Sequence, residues 1–286
     1  MPKVVHNITL MVFTSLAPAG TLAAIVLGIV LLCSLAPEVR KRLNFFLILP
    51  LFIVMVGLVT SATHLGNPAN ALYLFRGVGR SPLSTEVFCA VLFLFIGGMY
   101  WLKHFFQKQS MLIDRIWLTT LIVSSVALLI SMAMSYSVKT IQSWDNAFVP
   151  MGLIANSLAS GSMLSVLVLA FSDKENTKNK TRIILLTISL IGAFCTIVIS
   201  LLQALNLTKL QTAVSLGSEL AVWIYVGLMV FGICASISFI LAPLKPMALV
   251  KRLSYRIRLS LSCLILFVGI FALRMAFYAI HFTVGL

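Results

Sequence analysis

Two ionisable residues, His64 and Glu86, flank a short polar segment between two long apolar runs. His64 closes the first run and Glu86 opens the next, so we expect both side chains at one membrane surface. An imidazole titrates near neutral pH and a carboxylate can pass protons to water, so the pair could accept and relay protons. Ionisable groups beside a bilayer core favour a site for protons, ions or a polar lipid headgroup. The alternative is that both side chains only cap helix ends.

A second polar feature lies in the last apolar run, where Arg274 is surrounded by apolar residues. An arginine at membrane depth costs roughly 2.5 to 3.5 kcal/mol on insertion scales and needs a partner. At about 100° per helical residue, Tyr278 and His281 fall on the same face as Arg274. Ser61 and His64 share a face of the second run in the same way. We therefore predict two polar stripes that reach the same membrane surface.

The composition indicates a polytopic membrane protein. The 286 residues are 60% hydrophobic and 10% charged, with a mean hydropathy of +1.09, which excludes a water-soluble globule. A membrane-spanning helix needs about 20 apolar residues, and the runs long enough are approximately 8–35, 43–64, 84–106, 116–137, 147–171, 183–205, 220–241 and 259–283. Because the runs are continuous rather than alternating, we predict one all-α domain of eight transmembrane helices over residues 1–286. The tryptophans near the ends of these runs are expected to form an interfacial belt: Trp101, Trp117, Trp144 and Trp223.

The distribution of lysine and arginine predicts the orientation. Most of these residues fall in the loops after the first, third, fifth and seventh spans. Cytoplasmic loops collect basic residues, so both termini and the segment between His64 and Glu86 are predicted to face the periplasm from the inner (cytoplasmic) membrane. The net charge of +14 then reflects topology and contact with anionic lipid, and we expect no nucleic-acid partner.

The cysteines and histidines form no recognisable metal motif. No Cys-x-x-Cys pair occurs, so we expect neither an iron-sulfur cluster nor any other metal site in this chain. The five cysteines all fall in or at the ends of spans: Cys33, Cys89, Cys195, Cys234 and Cys263. A b-type haem between His64 and His281, both expected near the outer surface, is an alternative that stays open. Walker and hydrolase motifs are absent from the sequence.

A quinol is the ligand that the polar groups favour. Its tail is soluble in the bilayer, its headgroup lies near the interface, and its oxidation releases two protons with two electrons. His64 suits the first proton acceptor, Glu86 a relay, and Arg274 electrostatic stabilisation. Without a cofactor of its own, the chain needs an external electron acceptor at the outer face. Two other classes remain: a secondary transporter that binds a small anion at Arg274, and an inert tether.

Four short motifs occur in order along the chain, and a weaker one precedes them. They are Ser61-x-x-His64-Leu65-Gly66-x-Pro68, Val78-Gly79-x-Ser81-x-Leu83-Ser84-x-Glu86, Trp144 followed by Pro150-Met151-Gly152, and Arg274-x-x-Phe277-Tyr278-x-x-His281, after Leu10-Met11-x-Phe13-Thr14. In order and spacing they resemble the membrane-anchor subunit (DmsC) family of dimethyl-sulfoxide-reductase-type molybdoenzymes. The resemblance spans nearly the whole chain.

This resemblance implies an eight-helix, haem-free subunit that works in anaerobic respiration. It would oxidise (mena)quinol and anchor two partners at its outer face, an iron-sulfur subunit with 4Fe-4S clusters and a molybdopterin catalytic subunit. His64 matches the family's quinol-linked histidine, Glu86 the acidic residue opening the third span, and Arg274 the arginine of the last span. We therefore predict His64 and Glu86 as catalytic, and a quinol-binding set of His64, Ser61, Gly66, Arg274, Tyr278 and His281.

One residue departs from the family pattern. The family can carry an acidic residue four positions before the last-span arginine, where this chain has Ile270. If that acid is the arginine's partner elsewhere, Arg274 must pair with another group here. Glu86 and Glu219 are the candidates.

Overall fold

The structure is a computed structural model that describes residues 8–33, 35–63, 68–106, 111–172, 179–209, 217–243 and 252–280. These residues form nine α-helices and one 3₁₀ helix, Pro68–Gly77, with no strand among them. The all-α prediction is confirmed. In chain order the α-helices are α1 (Ile8–Leu32), α2 (Pro37–Phe46), α3 (Ile48–Ala62), α4 (Pro82–Phe106), α5 (Met111–Ser135), α6 (Phe148–Ser172), α7 (Asn179–Leu207), α8 (Gly217–Leu241) and α9 (Arg252–Ala279).

Eight helical segments of the described residues are long and apolar enough to cross a membrane, as the sequence predicts. Helices α2 and α3 together form one of them, Pro37–Ala62, and the other seven are single helices. Several helices begin earlier than the predicted spans, most clearly α9 at Arg252 and α5 at Met111. Backbone hydrogen bonding continues past the edge of the hydrocarbon, and long basic side chains can reach water from there. Charged residues therefore mark the end of an apolar span more sharply than the end of a helix.

The basic segment around Arg40, expected in a loop, is helical. Pro37 starts α2 at a position where its missing N–H is not needed. The Arg40 guanidinium donates a hydrogen bond to the carbonyl oxygen of Leu31 at 2.8 Å. This bond satisfies an unpaired carbonyl in the last turn of α1, so the charged segment closes one helix while it forms another.

Helices α1 and α6 form the centre of the bundle. They contact each other, and each also contacts α5 and α9, while α3 packs on α1 and α7 packs on α6. Small residues permit the close approach: a Cβ added at Gly161 would lie 2.7 Å from the Leu22 Cβ, and one at Gly192 would lie 2.5 Å from the Ala159 nitrogen. Such interfaces are typical of membrane helices, which associate by close packing rather than by exclusion of water.

Up-and-down connectivity brings two sets of helix ends together. At one end, here called the site end, α1, α4, α6 and α8 begin and α3, α5, α7 and α9 end. The other is called the opposite end. Between the 3₁₀ helix and α4, Gly79 has a φ of 80°, a left-handed conformation that favours glycine. Its N–H donates to the Thr85 hydroxyl at 3.0 Å, and this turn holds the first residues of α4 at the site end.

Candidate functional site

A cavity of about 260 Å³ lies among the ends of α1, α3, α4 and α5 at the site end. We call it the Glu86 cavity. Its walls are largely apolar with a few polar groups, which is typical of sites for small organic ligands. It brings together two residues predicted from the sequence, Ser61 and Glu86. The described residues that line it are Leu10, Ser61, Leu74, Leu83, Glu86, Val87, Ser135 and Tyr136.

Glu86 is the main polar group of this cavity. Its side chain is only 1% exposed, and neither carboxylate oxygen has a hydrogen-bond donor. The Ser135 hydroxyl lies beside it, but it donates to the carbonyl oxygen of Pro82 at 3.0 Å or of Ser131 at 2.8 Å. A buried polar group without a partner costs free energy. This carboxyl group is therefore suited to accept a hydrogen bond from a ligand.

Arg274 is buried behind the cavity rather than in its described lining. Its guanidinium lies within electrostatic range of the Glu86 carboxylate and of the Tyr136 and Tyr278 hydroxyls. It also lies over the Phe277 ring, 5.4 Å from the ring centroid. Its Nε and Nη2 atoms have no hydrogen-bond acceptor. Arg274 thus adds positive charge near the cavity without a hydrogen bond to Glu86.

With Ile270 in place of the family's acidic residue, the carboxylate that acts on Arg274 is that of Glu86. Ile270 is buried in the apolar core and Glu219 is exposed at the start of α8. Among the described carboxylates, Glu86 is the one in electrostatic range of Arg274. Because the carboxylate oxygens of Glu86 and two nitrogens of Arg274 are unpartnered, the two groups act on each other across a gap. The carboxylate stays open to another donor.

An aromatic cluster supports Arg274 at the end of α9. Trp144 stacks on Phe277 with centroids 4.5 Å apart, and its Nε1 donates to the Phe277 carbonyl oxygen at 3.3 Å. Tyr278 lies edge-on to Tyr136 at 6.4 Å, and its buried hydroxyl lies near the Tyr136 and Thr14 hydroxyls without a hydrogen bond of good geometry. The expectation that Trp144 belongs to the interfacial belt is wrong, since it is 6% exposed. Stacking and a buried backbone acceptor hold this indole inside the bundle instead.

Several residues of the site were not singled out from the sequence. Tyr136, just after α5, and Ser135 line the cavity, and Leu74 reaches it from the 3₁₀ helix. Leu10, which also lines it, and Thr14, which lies near the Tyr278 hydroxyl, appeared only in the weak N-terminal motif. A tyrosine at the end of an apolar run is also typical of a membrane-interface residue, so Tyr136 carried no distinct signal.

Three predicted site residues, His64, Gly66 and His281, lie outside the described residues, and their roles stay predictions. The haem alternative depends on the same two histidines and is likewise untested. Within the described ranges, no three histidine, cysteine, aspartate or glutamate side chains come together as a metal site. Ser61, three positions before His64 in the sequence, lines the Glu86 cavity.

The sequence matches one protein family over almost its whole length. Residues 1–280 match the DMSO reductase anchor subunit family, DmsC. The protein belongs to this family. It is therefore a multi-pass protein of the inner membrane and the anchor of a DMSO-reductase-type complex with catalytic and electron-transfer partners.

Relatives of this anchor subunit are similar from end to end. It is 28% identical over 287 residues to YnfH, an anaerobic dimethyl sulfoxide reductase subunit of Escherichia coli, and the match covers 98% of this protein and 97% of the relative. It is 27% identical over 291 residues to the C subunit of the anaerobic dimethyl sulfoxide reductase of the same organism, with the same coverage. The C subunit of the Haemophilus influenzae reductase is 24% identical over 283 residues, again with 98% and 97% covered.

Proposed function

We propose that this anchor subunit oxidises a quinol, menaquinol in anaerobic respiration, in the Glu86 cavity and passes the electrons to an iron-sulfur partner. The observation that supports this most directly is a buried carboxylate without a donor in the wall of an apolar cavity at one end of a membrane bundle. A quinol hydroxyl is a donor, and its ring and tail suit the apolar walls. The electrons would then reach a molybdopterin catalytic subunit through 4Fe-4S clusters carried by the partners.

Each predicted residue has a role in this reaction. His64 hydrogen-bonds the headgroup and is the first acceptor of the quinol proton, and Glu86, whose carboxylate also accepts a hydrogen bond from the headgroup, relays that proton onward. Arg274 supplies positive charge near the place where negative charge develops as the hydroxyl loses its proton. Ser61, which lines the cavity, and Gly66, Tyr278 and His281 orient the headgroup.

The orientation follows from the basic residues of the loops. Because lysine and arginine collect in cytoplasmic loops, the site end and both termini face the periplasm in this proposal. Ser61 lies in the last turn of α3 and Glu86 near the start of α4, so the cavity is close to the surface where the partners dock. Electrons can therefore pass from quinol to the partner without a metal centre in this subunit.

The experiment that tests this function is the Glu86→Gln substitution in membranes that carry the whole complex. We expect quinol-driven turnover to fall about 100-fold or more, the typical contribution of a positioned proton acceptor. Reduction driven by a soluble viologen dye, which donates directly to the partners, should be retained. Glu38→Gln is the matched control, because Glu38 is exposed and pairs with Arg42 at 3.8 Å at the opposite end.

Comparison of quinol-driven with dye-driven reduction distinguishes a catalytic from a structural role of Glu86. Equal loss of quinol-driven and membrane-bound dye-driven activity in Glu86→Gln would make Glu86 a structural residue of the anchor. Full quinol-driven turnover in Glu86→Gln would exclude the Glu86 cavity as the site of proton transfer.

A further inference from the structure

A second, smaller cavity lies between α6, α7, α8 and α9, with a volume of about 30 Å³. We call it the Arg274 chamber. Its polar lining residues are Asn156, Ser200, Gln203 and Arg274. A single water molecule needs about 10 to 15 Å³ on this scale, so the chamber has room for one or two small species and not for a quinol ring. It is separate from the Glu86 cavity.

Three fully buried polar atoms of the chamber residues lack a hydrogen-bond partner, and all three are donors. Arg274 is 4% and Gln203 8% exposed. The Nε and Nη2 atoms of Arg274 and the Nε2 atom of Gln203 have no acceptor. The Asn156 Oδ1 atom already accepts a hydrogen bond from the Thr196 hydroxyl at 3.0 Å. A buried donor left without an acceptor is strongly unfavourable, so the occupant of this chamber must accept hydrogen bonds.

The positive charge of Arg274 favours an anion over a water molecule as the occupant of the chamber. No acidic side chain is among the described residues that line it, and the Glu86 carboxylate makes no hydrogen bond to Arg274. A water molecule would accept from these donors, but it carries no charge and would leave the positive charge of Arg274 without an ion in contact with it. An anion accepts hydrogen bonds only, and it offsets the buried positive charge.

We propose that the Arg274 chamber binds one small monovalent anion of the size of chloride. The anion accepts hydrogen bonds from Arg274 of α9 and Gln203 of α7, and so joins two helices at the site end. This site shares Arg274 with the proposed quinol oxidation, but it lies outside the Glu86 cavity, and its occupancy can be measured without any turnover assay.

The experiment compares the thermal unfolding of the full-length protein, purified in detergent, in sodium chloride, sodium bromide and sodium gluconate at equal ionic strength. An anion at 100 times its Kd, bound only to the folded state, should raise the unfolding temperature by about 5 °C for a protein of this size. Chloride and bromide should have this effect, whereas gluconate is too large for the chamber.

Substitutions of Gln203 test whether the halide acts in the chamber. Gln203→Glu keeps the shape but replaces the donor by a carboxylate oxygen, which pairs with Arg274 itself and repels an anion. We expect this variant to lose the halide response and to unfold in gluconate at about the temperature of the wild type in chloride. Gln203→Met removes the donor without adding charge and should also lose the response. Gln142→Glu, at an exposed position outside the chamber, should respond as the wild type does.

Two results would overturn the proposal. Equal unfolding temperatures of the wild type in halide and gluconate would mean that the chamber holds water only. A halide response that persists in both Gln203 variants would place the effect elsewhere on the protein.

Discussion

The two ends of the bundle treat buried polar groups in different ways. At the opposite end, Lys103 Nζ lies 2.9 Å from Asp114 Oδ1, and the Tyr100 hydroxyl donates to Asn44 Oδ1 at 3.0 Å. These four residues are the opposite-end cluster, which ties α2, α4 and α5 together. His104 is its neighbour, with Nδ1 2.8 Å from the Tyr100 carbonyl oxygen and a buried Nε2 without a partner. Each buried side chain of the cluster therefore has a hydrogen-bond or ion-pair partner. The Nε2 atom of the neighbouring His104 is the exception at this place.

At the site end, the corresponding groups are buried but apart. Glu86, Arg274 and Tyr278 are each at most 4% exposed, and each has polar atoms without a hydrogen-bond partner. These three residues are the site-end cluster. Buried polar groups are nearly always satisfied in native proteins, so unsatisfied ones call for an explanation. Because the opposite-end cluster pairs its buried groups, the open ones are best explained by molecules that complete them: a quinol at Glu86 and an anion at Arg274.

Replacing one histidine at each end should give the largest difference in quinol-driven turnover between the two ends. His64→Gln should lower quinol-driven turnover about 100-fold or more, because the first proton acceptor is lost. His104→Gln, next to the opposite-end cluster, should leave the quinol-driven rate per assembled complex unchanged. Steady-state quinol oxidation, normalised to the amount of partner bound in the membrane, measures both variants.

A mirrored result would reverse the assignment of the two ends. Loss of the quinol-driven rate in His104→Gln with normal rates in His64→Gln would place quinol oxidation at the opposite end. Loss of bound partner in His64→Gln would instead make His64 an assembly residue.

The ion pair of the opposite-end cluster should act on stability rather than on turnover. Asp114→Asn leaves Lys103 without its counter-charge, and breaking a buried pair in this way is strongly destabilising. We expect a loss of about 3 kcal/mol, at the low end of the range for buried pairs because the Lys103 side chain is 13% exposed and can reach water. Thermal unfolding of the protein in detergent measures it. The double variant Lys103→Met with Asp114→Leu should recover most of the loss, and a double variant no more stable than Asp114→Asn would contradict the pairing argument.

The spans were predictable from the sequence because bilayer thickness sets how many apolar residues a helix needs. The ends of the helices were not predictable in this way, because the charged residues Asp114 and Arg252 lie within α5 and α9. Helix ends are set by local hydrogen bonding, such as the Arg40 bond to Leu31, and apolar content does not report it.

The site was predictable in part for a related reason. Glu86 and Arg274 stand out because an ionisable side chain in an apolar run is costly and rare. Gln203 and Tyr136 do not, because uncharged polar side chains occur at many membrane positions without a ligand. Whether such a residue lines a cavity depends on how α5, α7 and α9 pack, which depends on contacts between distant segments. Trp144 shows the same limit, since its position near a span end is compatible with either a lipid-facing or a buried indole.

The finest comparison between the two ends uses one atom in each cluster. Tyr100→Phe removes a hydroxyl that donates to Asn44 Oδ1 and leaves that buried oxygen unsatisfied, so we expect a loss of about 1 kcal/mol. Tyr278→Phe removes a hydroxyl that lies near the Tyr136 and Thr14 hydroxyls but makes no hydrogen bond of good geometry to either, so its effect should be below about 0.5 kcal/mol. Unfolding of both variants beside the wild type in detergent measures the difference. A larger loss in Tyr278→Phe than in Tyr100→Phe would mean that the Tyr278 hydroxyl is bonded in the membrane, and the contrast between a satisfied and an open end would fail at this residue.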